Sequence, residues 1–198
     1  MARPKNQTLR RQQLVEATAS IVLLHGAAST KLTDIAAEAG LAPSAVLYYY
    51  PDVRELYKAV LNKGGAQYCE SREMSVAEAS TPEERLRECI QSGVPRPGAA
   101  EEASRLLYEL APIVLRNDDA ADEYEKLIAR QAALYESVLE QCEASGGFAL
   151  AMPVKSLARS FVALEDGYGI DVLTGAITPD EEENLLLEYA RIMARRIG

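Results

Sequence analysis

Glycine and proline cut the first fifty residues of this chain into one long and two short helical segments, and that punctuation constrains the fold more than any other feature. Thr8 is placed to cap a first helix, whose apolar positions Leu14, Ala17, Ile21 and Leu24 recur at i, i+3 or i+4 spacing. Gly26 stands where a helix C-terminal glycine belongs. Thr30 is placed to cap a short second helix, with Leu32, Ile35, Ala36 and Ala39 on its inner side. Gly40 supplies a turn, and Pro43 opens a third helix at the position where its missing N–H costs nothing. Pro51 stops that helix, and Asp52-Val53-Arg54-Glu55 reads as a capping box for a fourth. Two short helices joined by Ala39-Gly40-Leu41-Ala42 on a longer one make a helix-turn-helix, whose second helix enters the major groove of DNA. Such a turn needs a small residue at the helix contact (Ala36), a glycine in the bend and an apolar plug (Leu41). The same Ala-x-x-x-Gly-Leu string also occurs in ordinary helical hairpins.

Helical signals continue to the end of the chain. Thr81-Pro82-Glu83-Glu84 is a capping box, opening a helix that fades by Pro95-Arg96-Pro97-Gly98. A helix from about Ala99 to Arg116 contains Pro112, which is expected to kink it. A long amphipathic helix from Asp118 to Cys142 is closed by Gly146-Gly147, and two more run over Pro153–Leu173 and Pro179–Ile197. Thr178 and Glu181 cap the last of these. No alternating strand pattern, repeat or low-complexity tract stands out, so the class is all-α.

Composition narrows the function classes. With 198 residues, 48% hydrophobic and 26% charged, the chain suits one good core, or a small module fused to a larger one. No apolar run approaches the eighteen residues of a membrane span, and the basic start leads into polar residues instead of a secretory signal, so a cytoplasmic location is expected. Cys69, Cys89 and Cys142 are odd in number and far apart, which is neither a disulfide framework nor a zinc pattern. The single histidine, His25, has no acidic or cysteine partner at ligand spacing. No metal or cofactor is expected.

The net charge of −9 looks unfavourable for a nucleic-acid binder until the chain is divided. Residues 1–63 hold eight basic side chains against five acidic, a net +3, whereas the rest holds 13 against 25, a net −12. The basic end can meet phosphate, and the acidic end discourages non-specific contact. Lys31 and Thr33 at the start of the second helix can hydrogen-bond phosphate beside the backbone N–H groups there. Ser44 and Ala45, next to Pro43, are small enough to approach base edges, and Ala45 suits a thymine methyl. Tyr48 and Tyr49 offer hydroxyls and ring faces, although one or two of the three tyrosines at 48–50 can equally pack the domain; Tyr50 is assigned to packing. Arg3, Lys5, Arg10 and Arg11 can form a basic arm on the backbone or in the minor groove.

The stretch Leu14 to Leu61, with Gly26, Thr30, Asp34-Ile35-Ala36, Ala39-Gly40-Leu41, Tyr48-Tyr49-Tyr50 and Leu56, resembles the DNA-binding domain of the TetR regulators without a gap. That family usually carries Leu-Tyr-Tyr-His-Phe with a Lys three residues on. Here Val46, Leu47, Tyr48, Tyr49 and Tyr50 fill the five positions and Val53 falls at the Lys, so two frequent phosphate-binding side chains are missing and Arg54 is the candidate substitute. The resemblance implies a reader over residues 1–60 and a helical effector-binding and dimerisation domain over 61–198, acting as a homodimeric repressor that a small molecule releases from a palindromic operator.

A single recognition helix reads few base pairs, so such modules pair on half-sites. Val154, Leu157, Phe161, Tyr168 and Val172 share one side of one C-terminal helix, and Leu186, Tyr189, Ala190, Met193 and Ile197 share one side of the other. As the resemblance implies, two helices from each protomer make a four-helix interface, helped by Gly167 and Gly169; the same stripes would equally serve the protomer's own core. The middle helices then hold the effector pocket, with Tyr68, Cys89, Leu107, Tyr108, Tyr124, Leu127, Tyr135 and Glu165 as candidate lining residues that also read as ordinary core. Two other readings remain at this point: a DNA-binding regulator with no small-molecule effector, and an all-helical enzyme or carrier, for which no nucleophile–base pair is visible.

Overall fold

The computed structural model describes residues 4–116 and 118–196. In chain order the elements are α1 Pro4–His25, α2 Leu32–Glu38, α3 Pro43–Tyr49, α4 Val53–Glu78, α5 Pro82–Gln91, α6 Ala99–Val114, α7 Asp118–Ala144, β1 Phe148–Leu150, α8 Val154–Thr174, α9 Pro179–Met193 and β2 Ala194–Arg196. The chain is therefore all-α with one small ribbon, and no described helix is long and apolar enough to cross a membrane. Contacts divide it into two compact units, Met1–Gly65 with Arg105–Tyr124, and Ala66–Ser104 with Glu125–Gly198. The expected boundary at residue 60 followed chain order alone, whereas the first unit also takes in a returning segment.

In the first unit, Gly26 ends α1 at φ +77°, and the turn after α2 is a Schellman motif. The Leu41 N–H donates to Ala36 O at 2.8 Å and the Gly40 N–H to Ala37 O at 3.1 Å, with Gly40 at φ +64°. Pro43 then opens α3 after an extended Ala42. Three local expectations need correction. Thr8 lies inside α1, not at its cap, because Pro4 starts the helix four residues earlier. Thr30 does not cap α2, whose N-cap is Lys31; the Thr30 hydroxyl donates to Gly26 O at 2.8 Å, satisfying a carbonyl left over at the end of α1. At the head of α4 the Asp52 carboxylate accepts from the Arg54 N–H at 2.8 Å, while the Glu55 N–H bonds to the Asp52 carbonyl, so no reciprocal box closes there.

Leu14, Val22, Ile35, Ala36, Val46, Tyr50, Leu56 and Val60 are buried together, with Leu110 and Val114 of α6 in the same cluster. Each Leu, Ile or Val among them removed from water is worth about 1.5–3 kcal/mol, which holds the short α2 and α3 in place. Leu107 and Tyr124, two of the candidate pocket residues, pack against this cluster. Glu109 reaches back from α6: its Oε2 accepts from the Ala27 N–H at 2.9 Å, just past the end of α1.

In the second unit, both expected capping boxes form, Thr81 with Glu84 and Thr178 with Glu181. Tyr135 stacks on Phe161 at 4.7 Å, and Phe161 meets Tyr189 edge-on at 5.1 Å. The last helix was expected to reach Ile197 but ends at Met193, because residues 194–196 pair antiparallel with 148–150 and the Ala151 N–H bonds to Met193 O. The ribbon was not expected at all; its partners lie too far apart in sequence for a local pattern to reveal them.

Candidate functional site

The first candidate is the outer face of α3. Pro43, Ser44, Leu47 and Tyr48 are exposed, one turn apart on one side, with Tyr48 69% exposed although its ring could have been buried. Val46 and Tyr50 anchor the opposite side in the core. Ala45 and Tyr49 are half-buried; Tyr49 packs against the core and supports Tyr48 in an edge contact at 5.1 Å. The short helix thus exposes a small, polar start and an aromatic ring one turn on. Leu47 belongs to this face as well, in the place where the resemblance implied a phosphate-binding side chain.

Basic and hydroxyl groups flank that face. Lys31 and Thr33 are exposed at the start of α2, where the Thr33 hydroxyl donates to Asp34 Oδ1 at 3.3 Å. Thr30 is turned inward by its bond to Gly26. Arg10 is half-buried and donates to Gln13 Oε1 at 2.9 Å. Arg11 lies over the Tyr50 ring at 4.9 Å, so part of its position is fixed by the core aromatic. Arg54 pairs with Asp52 at 2.7 Å; its partner holds the Asp52 carboxyl below the usual carboxylate range through side-chain and backbone hydrogen bonds. A phosphate at Arg54 must therefore compete with Asp52. Arg3 lies outside the described residues, and the Lys5 side chain with it.

The second candidate is a buried polar cluster in the second unit. Arg72 of α4 is 1% exposed, and its guanidinium donates to both Glu165 oxygens of α8 (Nη2–Oε1 2.8 Å, Nη1–Oε2 3.1 Å), to Gln131 Oε1 of α7 at 3.0 Å and to Cys89 O of α5 at 2.8 Å. Tyr135 donates its hydroxyl to Glu165 Oε1, and Tyr68 donates to Gly93 O at 3.2 Å. Burial pushes the Glu165 carboxyl up, while the Arg72 guanidinium and the Tyr135 hydroxyl pull it back. Burial works against the charge on Arg72, yet the facing Glu165 carboxylate leaves it held well above its ordinary value. The bidentate geometry favours an ionised pair. Burial also pushes the Cys89 thiol up to about 12, which makes it an inert side chain here.

Tyr68, Cys89, Tyr135 and Glu165, four of the expected pocket residues, thus come together in this cluster. Tyr108 is half-buried on α6 within the other unit, and Leu127 is half-buried on α7. Arg72, Gln131 and Glu182 were missed: arginine and glutamate on helices ordinarily face solvent, and no local pattern marks a buried one. Glu182 of α9 is 0% exposed, and neither carboxyl oxygen has a hydrogen-bond partner; Arg72 Nε is in the same condition. Burial first, and then the Glu165 charge, push the Glu182 carboxyl up to about 8. Buried polar atoms left unmatched cost about 1–3 kcal/mol each and are rare.

Gly93 makes the cluster possible. A Cβ there would stand 2.6 Å from the Glu165 carboxyl carbon and 2.9 Å from Arg72 Nη2. Both atoms are locked in the buried pair, so Gly93→Ala is expected to cost about 2–3 kcal/mol, read as a lower urea midpoint.

The third set, the expected dimer face, divides. Phe161, Leu186 and Ala190 are buried in their own unit, so they are core, not interface. The i, i+3, i+4 stripe had marked the inner side of each helix. Tyr168, Val172, Tyr189 and Met193 are half-buried, and Ile197 lies outside the described residues. The apolar residues turned outward are Ile170 on α8 and Leu185 and Ile192 on α9, with Ile192 70% exposed. Gly167 of α8 is exposed, with nothing within 4 Å of a Cβ built on it.

The family model for the C-terminal domain of BetI-type transcriptional repressors matches residues 82–194. No curated protein matches the sequence. A transcriptional regulator from Saccharomonospora viridis in complex with choline superposes with a TM-score of 0.87 at 20% identity, over 96% of this chain and 100% of that one. A TetR transcription regulator from Haloarcula marismortui gives 0.84 at 21% identity, over 95% and 100%. A TetR-family regulator from Rhodococcus sp. gives 0.81 at 20% identity, over 93% and 98%. At these identities the likeness is one of fold.

Proposed function

The chain belongs to the TetR family of transcriptional regulators, with a BetI-type repressor C-terminal domain, and from that premise we propose that it is a homodimeric repressor that leaves its operator when a small molecule binds the second unit. The observation that carries DNA binding is the α3 face: Pro43, Ser44, Leu47 and Tyr48 exposed on a short helix whose other side is core. Ser44 and Ala45 approach base edges, and Tyr48 lays its ring on sugar or methyl groups. Lys31 and Thr33, with the α2 N–H groups, meet phosphate. Arg10, Arg11 and Arg54 supply positive charge around the face, Arg54 after exchanging Asp52 for a phosphate. Leu47 replaces a polar contact by an apolar one, so part of the grip rests on methyl groups and sugars instead of phosphate.

Pairing of two such readers supplies the contact length that a palindrome requires. The dimer face we assign is the outer side of α8 and α9, with Ile170, Leu185, Ile192 and the bare surface at Gly167, flanked by the half-buried Tyr168 and Val172. The effector site we assign is the polar cluster of Arg72, Glu165, Tyr68, Tyr135 and Gln131. A choline complex of a protein with this fold supports a small-molecule ligand. Ligand and operator then favour different arrangements of the readers, and a coupling of about 1–3 kcal/mol changes DNA affinity roughly 5–150-fold.

The test is selection from random duplexes followed by titration at several salt concentrations. A palindromic site is expected, with affinity falling steeply as salt rises. Tyr48→Ala is expected to weaken binding about tenfold, or about 1.4 kcal/mol. Lys31→Ala is expected to weaken all duplexes alike and to reduce the salt slope by about one. A folded dimer that selects no sequence would overturn the reading.

A further inference from the structure

Among the described residues, the interior of the second unit holds one more carboxyl than it has cations to match. Arg72 is the buried cation, and Glu165 takes its charge through two hydrogen bonds. Glu182 is the second buried carboxyl, and both of its oxygens lack a donor. Ionised, it needs two donors and a positive charge. Protonated, it still needs an acceptor for its own O–H and a donor for its carbonyl oxygen, so a proton alone does not satisfy it. The charged groups acting on it are Glu165 and Asp171 of α8, which oppose its ionisation, and Arg96 beyond α5, which favours it. Arg96 is already engaged by Asp180 at 2.8 Å and by Glu183 at 2.6 Å, both on α9. Arg72 and Tyr135 reach the neighbourhood through Glu165. Arg72 Nε is the other buried atom without a partner, and it is not bonded to Glu182.

We propose that Glu182 is the anchor of the effector site and that it takes a small protonated amine, whose N–H groups donate to the two unmatched oxygens. This rests on the reading of the second unit as the effector-binding part of a regulator, and it deepens that reading by naming the ligand class. The ammonium group displaces to solvent the proton that otherwise neutralises the carboxyl. A tetraalkylammonium supplies charge without any donor and leaves both oxygens unmatched, and choline offers only its one hydroxyl, so the site discriminates among cations by hydrogen bonding.

The experiment uses the full-length chain in phosphate buffer with ethylammonium, ethanolammonium and putrescine chlorides, and with tetramethylammonium and choline chlorides as cations without N–H groups. Calorimetric titration is expected to show at least one of the three amines binding at least tenfold more tightly than either quaternary cation. Glu182→Gln, which keeps the side chain's size, is expected to lose at least tenfold in that affinity while its circular dichroism and size-exclusion profile stay unchanged. Equal affinity for choline, unchanged amine affinity in Glu182→Gln, or no binding by any of the three amines each overturns the proposal. DNA binding on the selected duplex is measured in parallel without ligand. Specific DNA binding with no amine affinity removes this inference alone, whereas absent DNA binding removes the regulator reading and leaves the amine result to be judged directly.

Discussion

An Arg72→Met chain is expected to lose about 3–5 kcal/mol of stability, while an Arg72→Met/Glu165→Leu chain loses far less or nothing. The single change removes the guanidinium and leaves the Glu165 carboxylate in an interior where its side chain is 4% exposed. Gln131, Cys89 O and the Tyr135 hydroxyl stay in place, but none of them carries a charge. Glu165 must then either keep a charge without a counter-ion or take up a proton, and both alternatives draw on folding free energy. The double change removes both charges and fills similar volume with apolar atoms, which often leaves such a site as stable as before. In this chain it still strands the Gln131 amide oxygen, whereas Cys89 O keeps the Ser92 hydroxyl at 3.2 Å, so a small residual loss remains. Urea unfolding at pH 7 separates the two chains, and in a thermal scan the single variant melts roughly 6–20 °C lower. Equal losses in the single and double variants would mean that the pair contributes packing and not charge.

What could be read from the sequence was whatever depends on near neighbours along the chain. Gly40 and Pro43 fix the turn and the start of α3 through their own backbone restrictions, and the boxes at Thr81 and Thr178 close over three residues. Thr8 failed as a cap because the helix already starts at Pro4, and Thr30 because its hydroxyl is taken by the Gly26 carbonyl. The ribbon of 148–150 with 194–196 and the pair Arg72–Glu165 join residues more than forty and ninety positions apart, and no periodicity records such a meeting.

The site residues divide for the same reason. On α3 a seven-residue helix has few ways to bury Val46 and Tyr50, so the exposed side follows directly from the buried one. On α8 and α9 an apolar stripe identifies an inner side but not its partner, and Phe161, Leu186 and Ala190 turned out to face their own core. Leu107 and Tyr124 carry the same ambiguity: their stripes were seen, and they pack on the core of the first unit. Arg72 and Glu182 had no stripe to betray them, since a charged residue on an apolar side looks like noise until its surroundings are known.

Glu182 gives the chain an inverted pH response over the neutral range. Its carboxyl, raised by burial and by the Glu165 charge, titrates at about 8 in the folded chain against an ordinary 4.5. Between those two values the native state keeps a proton that the unfolded chain has released, so stability falls as pH rises. The slope is at most about 1.4 kcal/mol per pH unit, and over the window the loss is on the order of 4 kcal/mol. Above about 8 both states are ionised and the curve flattens. Carboxyls held below their ordinary range, such as Glu73 beside Arg130 and the capping Glu84 and Glu181, act in the opposite sense, but their stability is lost only as pH falls through the acid range, outside this window. Glu182→Gln cannot ionise, and an amide of the same size resembles the protonated acid. The variant is therefore expected to match the parent near pH 5 and to exceed it at pH 8 by an amount on the order of 4 kcal/mol, or about 10 °C in melting temperature. Urea midpoints in amine-free buffers at pH 5, 6, 7 and 8 give the two curves; parallel curves would show that the Glu182 carboxyl ionises normally and that the excess negative charge in this interior is already matched.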